Sequence, residues 1–208
     1  NSTIVMTGAG TTIDATDTIG SLDIQPGVGN TITIVNNNLT LAGDLDVTNG
    51  TFATAGLNLT VGGASTIAGA VTDTGGTQTY TGNVTCTGSI TGAGLVTFSG
   101  NLDCQNGQLT SGAGGILVEG NADFTTNGRL DGSGAGDPDL VFEGDLSFDG
   151  FSVLNQNGDM ISFEDNNLQT LTTGGTALAD VTVDKGAGRV DTTDSFTIAD
   201  LTMTDGEL

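Results

Sequence analysis

A pair of apolar residues separated by one polar residue returns along this chain at steps of 17 to 24 residues. Leu39-Thr40-Leu41 is the clearest copy, and Gly43 follows it. A strand of three residues buries too little apolar surface to be stable alone. It becomes stable when its copies stack on one another, so the repeat predicts a solenoid of short parallel strands.

The repeats supply three sides of a coil. The second apolar residue of each opening pair gives the anchors Met6, Ile24, Leu41, Val61, Tyr80, Phe98, Val118, Phe142, Phe163, Val183 and Met203. A second apolar pair follows in most repeats, Leu45 and Val47 being an example, and a third side is less regular, with Phe52, Ile90, Leu109 and Leu130. We therefore expect an all-β fold, a parallel β-helix (β-solenoid) of about ten to eleven coils with a period near 20 residues.

The chain is expected to form one domain over residues 1–208, with regular coils in 1–154 and less regular coils in 155–208. Gly132 to Asp139 lengthens its coil and is interpreted as an external loop. A β-sandwich would also contain short alternating strands, but its strands need not return with a fixed period.

The inward ranks and the corners of the coils allow two further predictions. The ranks should stack Tyr80 on Phe98 and Phe142 on Phe163. A glycine lies two residues after six of the anchors, where it would allow a positive φ or a sharp corner. These corner glycines are Gly43, Gly63, Gly82, Gly100, Gly120 and Gly144.

The charge balance narrows the choice of partners. The chain has 25 acidic residues against three cations, for a formal net charge of -22. Such a chain has almost nothing to neutralise phosphate, so we expect no nucleic-acid partner and no anionic lipid surface. No apolar run approaches the roughly 18 residues of a membrane span, so no membrane insertion is expected.

Histidine is absent, which removes histidine-based triads and metal sites. Acidic residues near equivalent outward positions could form a strip, which we interpret as a solvated face and less readily as a calcium or carboxylate-catalysis site. These residues are Asp44, Asp46, Asp103, Asp123 and Asp145. We expect no enzyme activity and no cofactor, apart from a possible calcium ion.

That calcium ion would bind in the glycine-rich loop, where Asp131, Asp137 and Asp139 lie close in sequence. Carboxylates on a flexible loop suit Ca²⁺, although the spacing matches no standard calcium motif. A plain acidic loop is the alternative.

The two cysteines, Cys86 and Cys104, lie 18 residues apart at the same inward position. Stacked coils would bring them within disulfide range, and two buried thiols are the equal alternative. Five Asn-x-Ser/Thr triplets are candidate glycosylation sites, at Asn1, Asn38, Asn49, Asn58 and Asn83. An outward threonine rank, beginning with Thr40 and Thr60, is interpreted as the usual solvent-facing choice of a β-strand.

Three stretches carry a resemblance to a known class of proteins: residues 38–47, Asn-Leu-Thr-Leu-Ala-Gly-Asp-Leu-Asp-Val, residues 57–63, Leu-Asn-Leu-Thr-Val-Gly-Gly, and residues 140–148, Leu-Val-Phe-Glu-Gly-Asp-Leu-Ser-Phe. They resemble the repeats of bacterial and archaeal exported β-helix surface proteins, such as filamentous-haemagglutinin-type adhesins and autotransporter passengers. The resemblance implies an extracellular or cell-surface location.

The sequence thus predicts a structural subunit of an extracellular filament, stalk or surface layer. Its first and last coils match the interior pattern, so each end could pair with the opposite end of a second copy in a head-to-tail homopolymer. The alternative is an adhesin or a carbohydrate-binding or carbohydrate-degrading β-helix, with glycans or a cell surface as partner.

Overall fold

The computed structural model describes residues 2–133 and 139–208 as a parallel β-solenoid of about ten turns. Every regular element in these residues is a β-strand, so the predicted fold class is confirmed. The strands are numbered β1 to β26 in chain order and stack into three faces. Neighbours within each face are parallel and pair one coil apart.

Face 1 contains β5 (Leu39–Leu41), β8 (Leu59–Val61), β11 (Gln78–Tyr80), β14 (Val96–Phe98), β17 (Ile116–Val118), β20 (Leu140–Phe142), β23 (Ile161–Phe163), β25 (Leu178–Thr192) and β26 (Ile198–Glu207). Face 2 contains β1 (Thr3–Met6), β3 (Ser21–Ile24), β6 (Leu45–Val47), β9 (Ser65–Ile67), β12 (Val84–Cys86), β15 (Leu102–Asp103), β18 (Ala122–Asp123), β21 (Leu146–Ser147) and β24 (Gln169–Thr172). Face 3 contains β2 (Thr12–Ile13), β4 (Thr31–Ile34), β7 (Thr51–Ala53), β10 (Ala70–Thr72), β13 (Ser89–Thr91), β16 (Gln108–Thr110), β19 (Arg129–Asp131) and β22 (Val153–Asn155).

The core is a continuous column of inward ranks. Because successive side chains along a strand point alternately into and out of the coil, Leu39 and Leu41 are buried while Thr40 is exposed. Aromatic rings follow one another up the column. Tyr80 and Phe98 are stacked with centroids 5.2 Å apart, while the predicted pair Phe142 and Phe163 is tilted at 6.5 Å.

The register of the first two coils corrects the sequence assignment. Met6 and Ile24 were expected in the same rank as Leu41, on face 1. The structure pairs Met6 with Ile24 and Ile24 with Val47, so both anchors belong to face 2. Leu41 instead meets Ile19 through a single bridge. An apolar-x-apolar pair fits either face, so the strand pairing decides between them.

The corner glycines between faces 1 and 2 are explained by one of the two reasons expected, a tight corner, and not by a positive φ. A Cβ added at Gly82, Gly100 or Gly144 would lie within 2.3–2.7 Å of backbone atoms of the glycine one coil earlier, and none of the three has a positive φ. The glycines are therefore required because consecutive coils approach closely at this corner. Of the two expected reasons, positive φ does not apply at these three positions, and the tight corner does.

Beyond Asn155 the coils lose one side. Within the described residues face 3 ends at β22, and the chain passes from β24 into β25 through a turn with positive φ at Gly174 and Gly175. β25 then pairs with β23 on one side of the coil and with β24 on the other. The last coils are thus two-sided, and polar side chains enter their interior. These buried side chains are Gln156, Asp159, Gln169, Thr173 and Lys185.

Candidate functional sites and surfaces

The acidic loop places one of its three aspartates in a protein network. Asp131 Oδ1 accepts a hydrogen bond from Asn155 Nδ2 at 2.7 Å, and Oδ2 accepts from Gln108 Nε2 at 2.8 Å and contacts Arg129 Nε. Both carboxylate oxygens are therefore engaged along face 3, and the side chain is buried. Asp137 lies outside the described residues, and the backbone carbonyl of Asp139 accepts from Ile116 N–H.

Calcium binding at this loop stays a prediction. In residues 2–133 and 139–208, no group of three or more histidine, cysteine, aspartate or glutamate side chains is arranged to hold a metal ion. The engaged carboxylate of Asp131 would have to exchange protein partners for the ion.

A buried carboxylate beside this loop was missed at the sequence level. Asp159 is fully buried, and its Oδ2 accepts hydrogen bonds from Ser111 Oγ at 3.1 Å and from the backbone N–H of Ser133 at 2.6 Å. Ser111 is 48 residues away in sequence. Asp159 thus ties the start of the loop to two different coils, and no local pattern could have linked these residues.

The cysteine pair lies where the inward alternation placed it. Val84 pairs with Leu102 and Thr85 with Asp103, so Cys86 and Cys104 follow each other in the same inward rank. Both are fully buried and both are free thiols in this structure. A hydrogen bond with Cys86, together with burial, raises the pKa of the Cys104 thiol. The structure therefore supports close packing of the two sulfurs, and the disulfide stays a prediction.

Four of the five candidate glycosylation asparagines hold neighbouring coils together. The Oδ1 atoms of Asn38, Asn58 and Asn83 accept from the backbone N–H of Asn58, Thr77 and Asn101, at 2.9–3.0 Å. Asn49 Oδ1 accepts from Gly27 N–H at 2.7 Å. Asn1 lies outside the described residues. Glycosylation stays a prediction, and a structural role for the four described side chains is now established.

The contact of Asn83 belongs to a ladder beside the corner glycines. Asn83, Asn101 and Asn121 each accept a backbone N–H from the next coil at 3.0 Å, and Asp145 continues the series by accepting from Thr170 N–H. Each ladder residue follows a corner glycine directly and precedes an apolar residue. This Gly-Asn/Asp-apolar triplet was the sequence signal that could have revealed the ladder.

The expected acidic strip divides into two kinds of position. Asp44 and Asp145 occupy the corner ladder, where their oxygens accept backbone N–H groups. Asp103 and Asp123 are stacked neighbours in the middle of face 2, and Gln105 bonds to both of them. Asp46 pairs with Thr66 on one side, so threonines interrupt the acidic row. The row is a partly solvated face, held by local hydrogen bonds.

Face 3 carries two neighbouring outward ranks that the sequence analysis did not identify. One contains Thr51, Ala70 and Ser89, and the other contains Ala53, Thr72 and Thr91, all in register. They flank the inward rank of Phe52, Val71 and Ile90. Both of these outward ranks carry only Thr, Ala or Ser in these three coils, whereas the threonine rank on face 1 is a single rank.

Aromatic side chains are used almost entirely inside the column. Phe151 is 74% exposed and Phe196 is partly buried, while the other seven aromatic rings are buried. Phe151 lies beside β22, next to a cleft of about 460 Å³ where face 3 ends. The described surface therefore has one exposed aromatic ring.

The two-sided coils contain a buried lysine. Lys185 is 1% exposed, and its ammonium donates to the backbone carbonyl of Glu164 at 3.1 Å and contacts Gln169 Oε1. Gln169 is itself fully buried and donates through Nε2 to the carbonyls of Phe142 and Gly144, both at 2.8 Å. Burial lowers the pKa of Lys185, while the nearby charge of Asp165 opposes that shift.

Both ends of the column expose apolar side chains. At the first coil, an apolar cavity of about 300 Å³ is lined by residues that include Ile4, Met6, Ile13 and Ile19. At the last coil, Leu201 and Met203 on β26 are 44% and 42% exposed.

Comparison with known proteins adds no relative: no family model, no curated protein and no solved structure matches the chain. None of the described residues forms a helix that is long and apolar enough to cross a membrane.

Proposed function

We propose that this chain is a structural subunit of an extracellular filament, stalk or surface layer, built by head-to-tail stacking of solenoid ends. The proposal places it among exported prokaryotic β-helix surface proteins, which its repeats resemble. The role requires no catalysis and no cofactor, and its partner is a second copy of the same chain.

The observation that carries the proposal is the open apolar cross-section at both ends. Ile4 and Met6 at one end, and Leu201 and Met203 at the other, continue inward ranks that are buried in the middle coils. Isolated solenoids usually cover such ends with polar caps. Stacking the end of one copy on the start of another would bury both surfaces and pair both outer strand edges.

Such a contact joins two different surfaces, so it propagates instead of closing into a dimer. About ten turns at about 4.8 Å each correspond to a rise of roughly 50 Å per copy. The charge of -22 opposes assembly by repulsion, so filaments should form more readily as salt or divalent cations screen the carboxylates.

The test is light scattering and negative-stain electron microscopy of the 208-residue chain across a series of NaCl and CaCl₂ concentrations. We expect filaments whose length increases with ionic strength. Leu201→Asp, at the end surface, should abolish them. Val28→Asp is the matched control, since Val28 is 92% exposed on the side of the solenoid, and it should leave assembly unchanged.

Mixing two blocked variants tests the polarity of the contact. Ile4→Asp keeps the last coil intact, and Leu201→Asp keeps the first coil intact. Each should be monomeric alone, and an equal mixture should give dimers and nothing longer. A stable monomer under every condition, or filaments that form equally well with Leu201→Asp, would refute head-to-tail stacking.

A further inference from the structure

We propose that Lys185 and Gln169 join in an intramolecular isopeptide bond, which covalently links the last two-sided coils and releases ammonia. The inference goes beyond the proposed function, because the bond would form within one chain whether or not the chains assemble. It rests on two buried polar side chains, Lys185 and Gln169, that lie in contact inside the column.

The pair is unusual for its position. Lysine is almost never fully buried unless it is paired with a charge, and the contacts of the Lys185 ammonium within the described residues are a backbone carbonyl and an amide oxygen. Desolvation favours its neutral amine, which is the nucleophilic form of lysine. The amine lies against the side-chain amide of Gln169, which is the electrophile required for an amide exchange.

Two glycines make room for the lysine side chain. A Cβ at Gly188 would lie 2.7 Å from Lys185 Cε, and a Cβ at Gly206 would lie 2.9 Å from Lys185 Cβ. Gly188 has no positive φ, so space alone explains why glycine is needed there. The same added Cβ at Gly188 would also lie 2.7 Å from the backbone oxygen of Asn167, so glycine there leaves room for both the neighbouring coil and the lysine, and the positive φ of Gly206 is a separate reason for glycine at that position.

The other partner is fixed as well. Gln169 Nε2 donates to the carbonyls of Phe142 and Gly144, and this fixes the plane of the amide and turns its oxygen toward Lys185. The same two carbonyls would stabilise the nitrogen as it gains a proton and becomes the leaving group. Holding both reacting groups in one place removes much of the entropic cost of the reaction.

The reaction balances without any further reagent. The neutral Nζ attacks Cδ of Gln169, the new C–N bond forms, and the carbonyl electron pair moves to Oε1. A proton passes from Nζ to Nε2, the old C–N bond breaks as the carbonyl re-forms, and ammonia departs. The product is a secondary amide, which keeps one N–H donor and one oxygen acceptor inside the column.

The bond would lie in the part of the molecule with the weakest apolar core. Gln169 lies on β24 and Lys185 on β25, and the two strands pair on the side of the coil that continues face 2. A covalent link there would close a loop of 16 residues in sequence separation and would limit unfolding of the last coils.

The test is the intact mass of the folded, purified 208-residue chain, measured after denaturation under reducing conditions. We expect a mass lower than the sequence mass by one ammonia. Tryptic digestion should locate the loss, because a modified Lys185 is not cleaved. The cations are Arg129, Lys185 and Arg189, so the bond predicts one peptide spanning 130–189 in place of 130–185 and 186–189.

Two variants separate this bond from other ammonia losses, such as succinimide formation at Asn157-Gly158. Lys185→Arg cannot form the amide and should restore both the full mass and cleavage at residue 185. Gln78→Leu is the matched control, since Gln78 is also fully buried but bonds to Tyr80 and the carbonyl of Thr91, and it should retain the deficit. Full mass of the wild-type chain with cleavage after Lys185 would overturn the proposal, even if every variant failed to fold.

Discussion

Two regions of the solenoid fill their interior differently: the three-sided coils between Leu39 and Asn155, and the two-sided coils after Asn155. In the first region nearly every inward position is apolar, and the polar exceptions are few, such as Gln78 bonded to Tyr80. In the second region the column narrows and polar groups occupy the interior, each satisfied by several hydrogen bonds. The difference shows that a solenoid can lose a side when its repeat loses an apolar position, provided that the buried polar groups find partners.

The largest expected effect lies in the three-sided region. Phe98→Ala should lower the free energy of unfolding by about 3–5 kcal/mol, because it leaves a cavity beside the stacked ring of Tyr80. Thr97→Ala, one residue away and facing outward, should change it by less than about 0.5 kcal/mol. Urea denaturation of both variants measures the contrast, and equal losses would contradict the inward register.

A polar position in the two-sided region should show a smaller and more local effect. Gln156 donates through Nε2 to the carbonyls of Asp159 and Asp180, and its Oε1 accepts from Ala179 N–H. Gln156→Leu should therefore cost about 2 kcal/mol by leaving these groups without partners. Hydrogen exchange should show lost protection beyond Asn155 and unchanged protection in β11 and β14. Loss spread evenly over all coils would show that the two regions unfold as one unit.

A buried carboxylate at a regular corner should make stability depend on acid. Asp73 accepts hydrogen bonds from Thr54 Oγ1, Gly56 N–H and Gly75 N–H. Burial raises the pKa of Asp73, but hydrogen bonds from the Thr54 hydroxyl and from the backbone of residues 74–76 outweigh it and lower the pKa below its usual value. A lowered folded-state pKa contributes stability that is present above the unfolded value and is lost as the pH falls through the folded value.

Asp73→Asn should therefore be destabilising by about 1–2 kcal/mol at neutral pH. The difference from the wild-type chain should begin to shrink as the pH falls below the unfolded-state value of about 4, and should disappear only as the pH falls through the lowered folded-state pKa of Asp73. Thermal melts at a series of pH values measure it. A constant difference down to pH 2 would show that the carboxylate charge is not what stabilises this corner.

A single rung of the corner ladder should have a modest effect. Asn101→Ala removes the acceptor of Asn121 N–H, and we expect a loss of about 1 kcal/mol. Thr87→Ala, at an exposed position close to a different corner, is the control and should be close to neutral. Chemical denaturation of the two variants tests whether the loss of a ladder acceptor lowers the free energy of unfolding more than the loss of an exposed hydroxyl does.

The smallest expected signal is the reaction of the thiols. Cys86 and Cys104 are fully buried, so neither should react with iodoacetamide in the native protein, whether or not they are bonded. Unfolding in urea with a reductant should make both reactive. The mass without reductant distinguishes two thiols from a disulfide, and rapid native labelling would contradict the inward rank.

Several features of the candidate sites could be predicted from sequence because they depend on local alternation. Cys86 and Cys104, and the stacked aromatics, follow from counting inward positions along neighbouring repeats. Asp159 and Ser111 could not be paired in this way, since 48 residues separate them and neither belongs to the repeated pattern. Lys185 and Gln169 meet because β25 follows β24 without a face 3 strand between them and then pairs with it. The spacing of the apolar repeats does not predict this pairing.

The sequence by itself determined the period, the inward and outward positions and the parallel stacking, because each follows from side chains that alternate along short strands. The tertiary structure decided which strands share a face. Leu22-Asp23-Ile24 fits face 1 or face 2 equally well by pattern, and only its pairing with Leu45-Asp46-Val47 places it on face 2. It also decided where a side is lost, because that depends on whether a turn such as Thr173–Ala177 can close the coil while Gln156, Gln169 and Lys185 satisfy the buried polar groups.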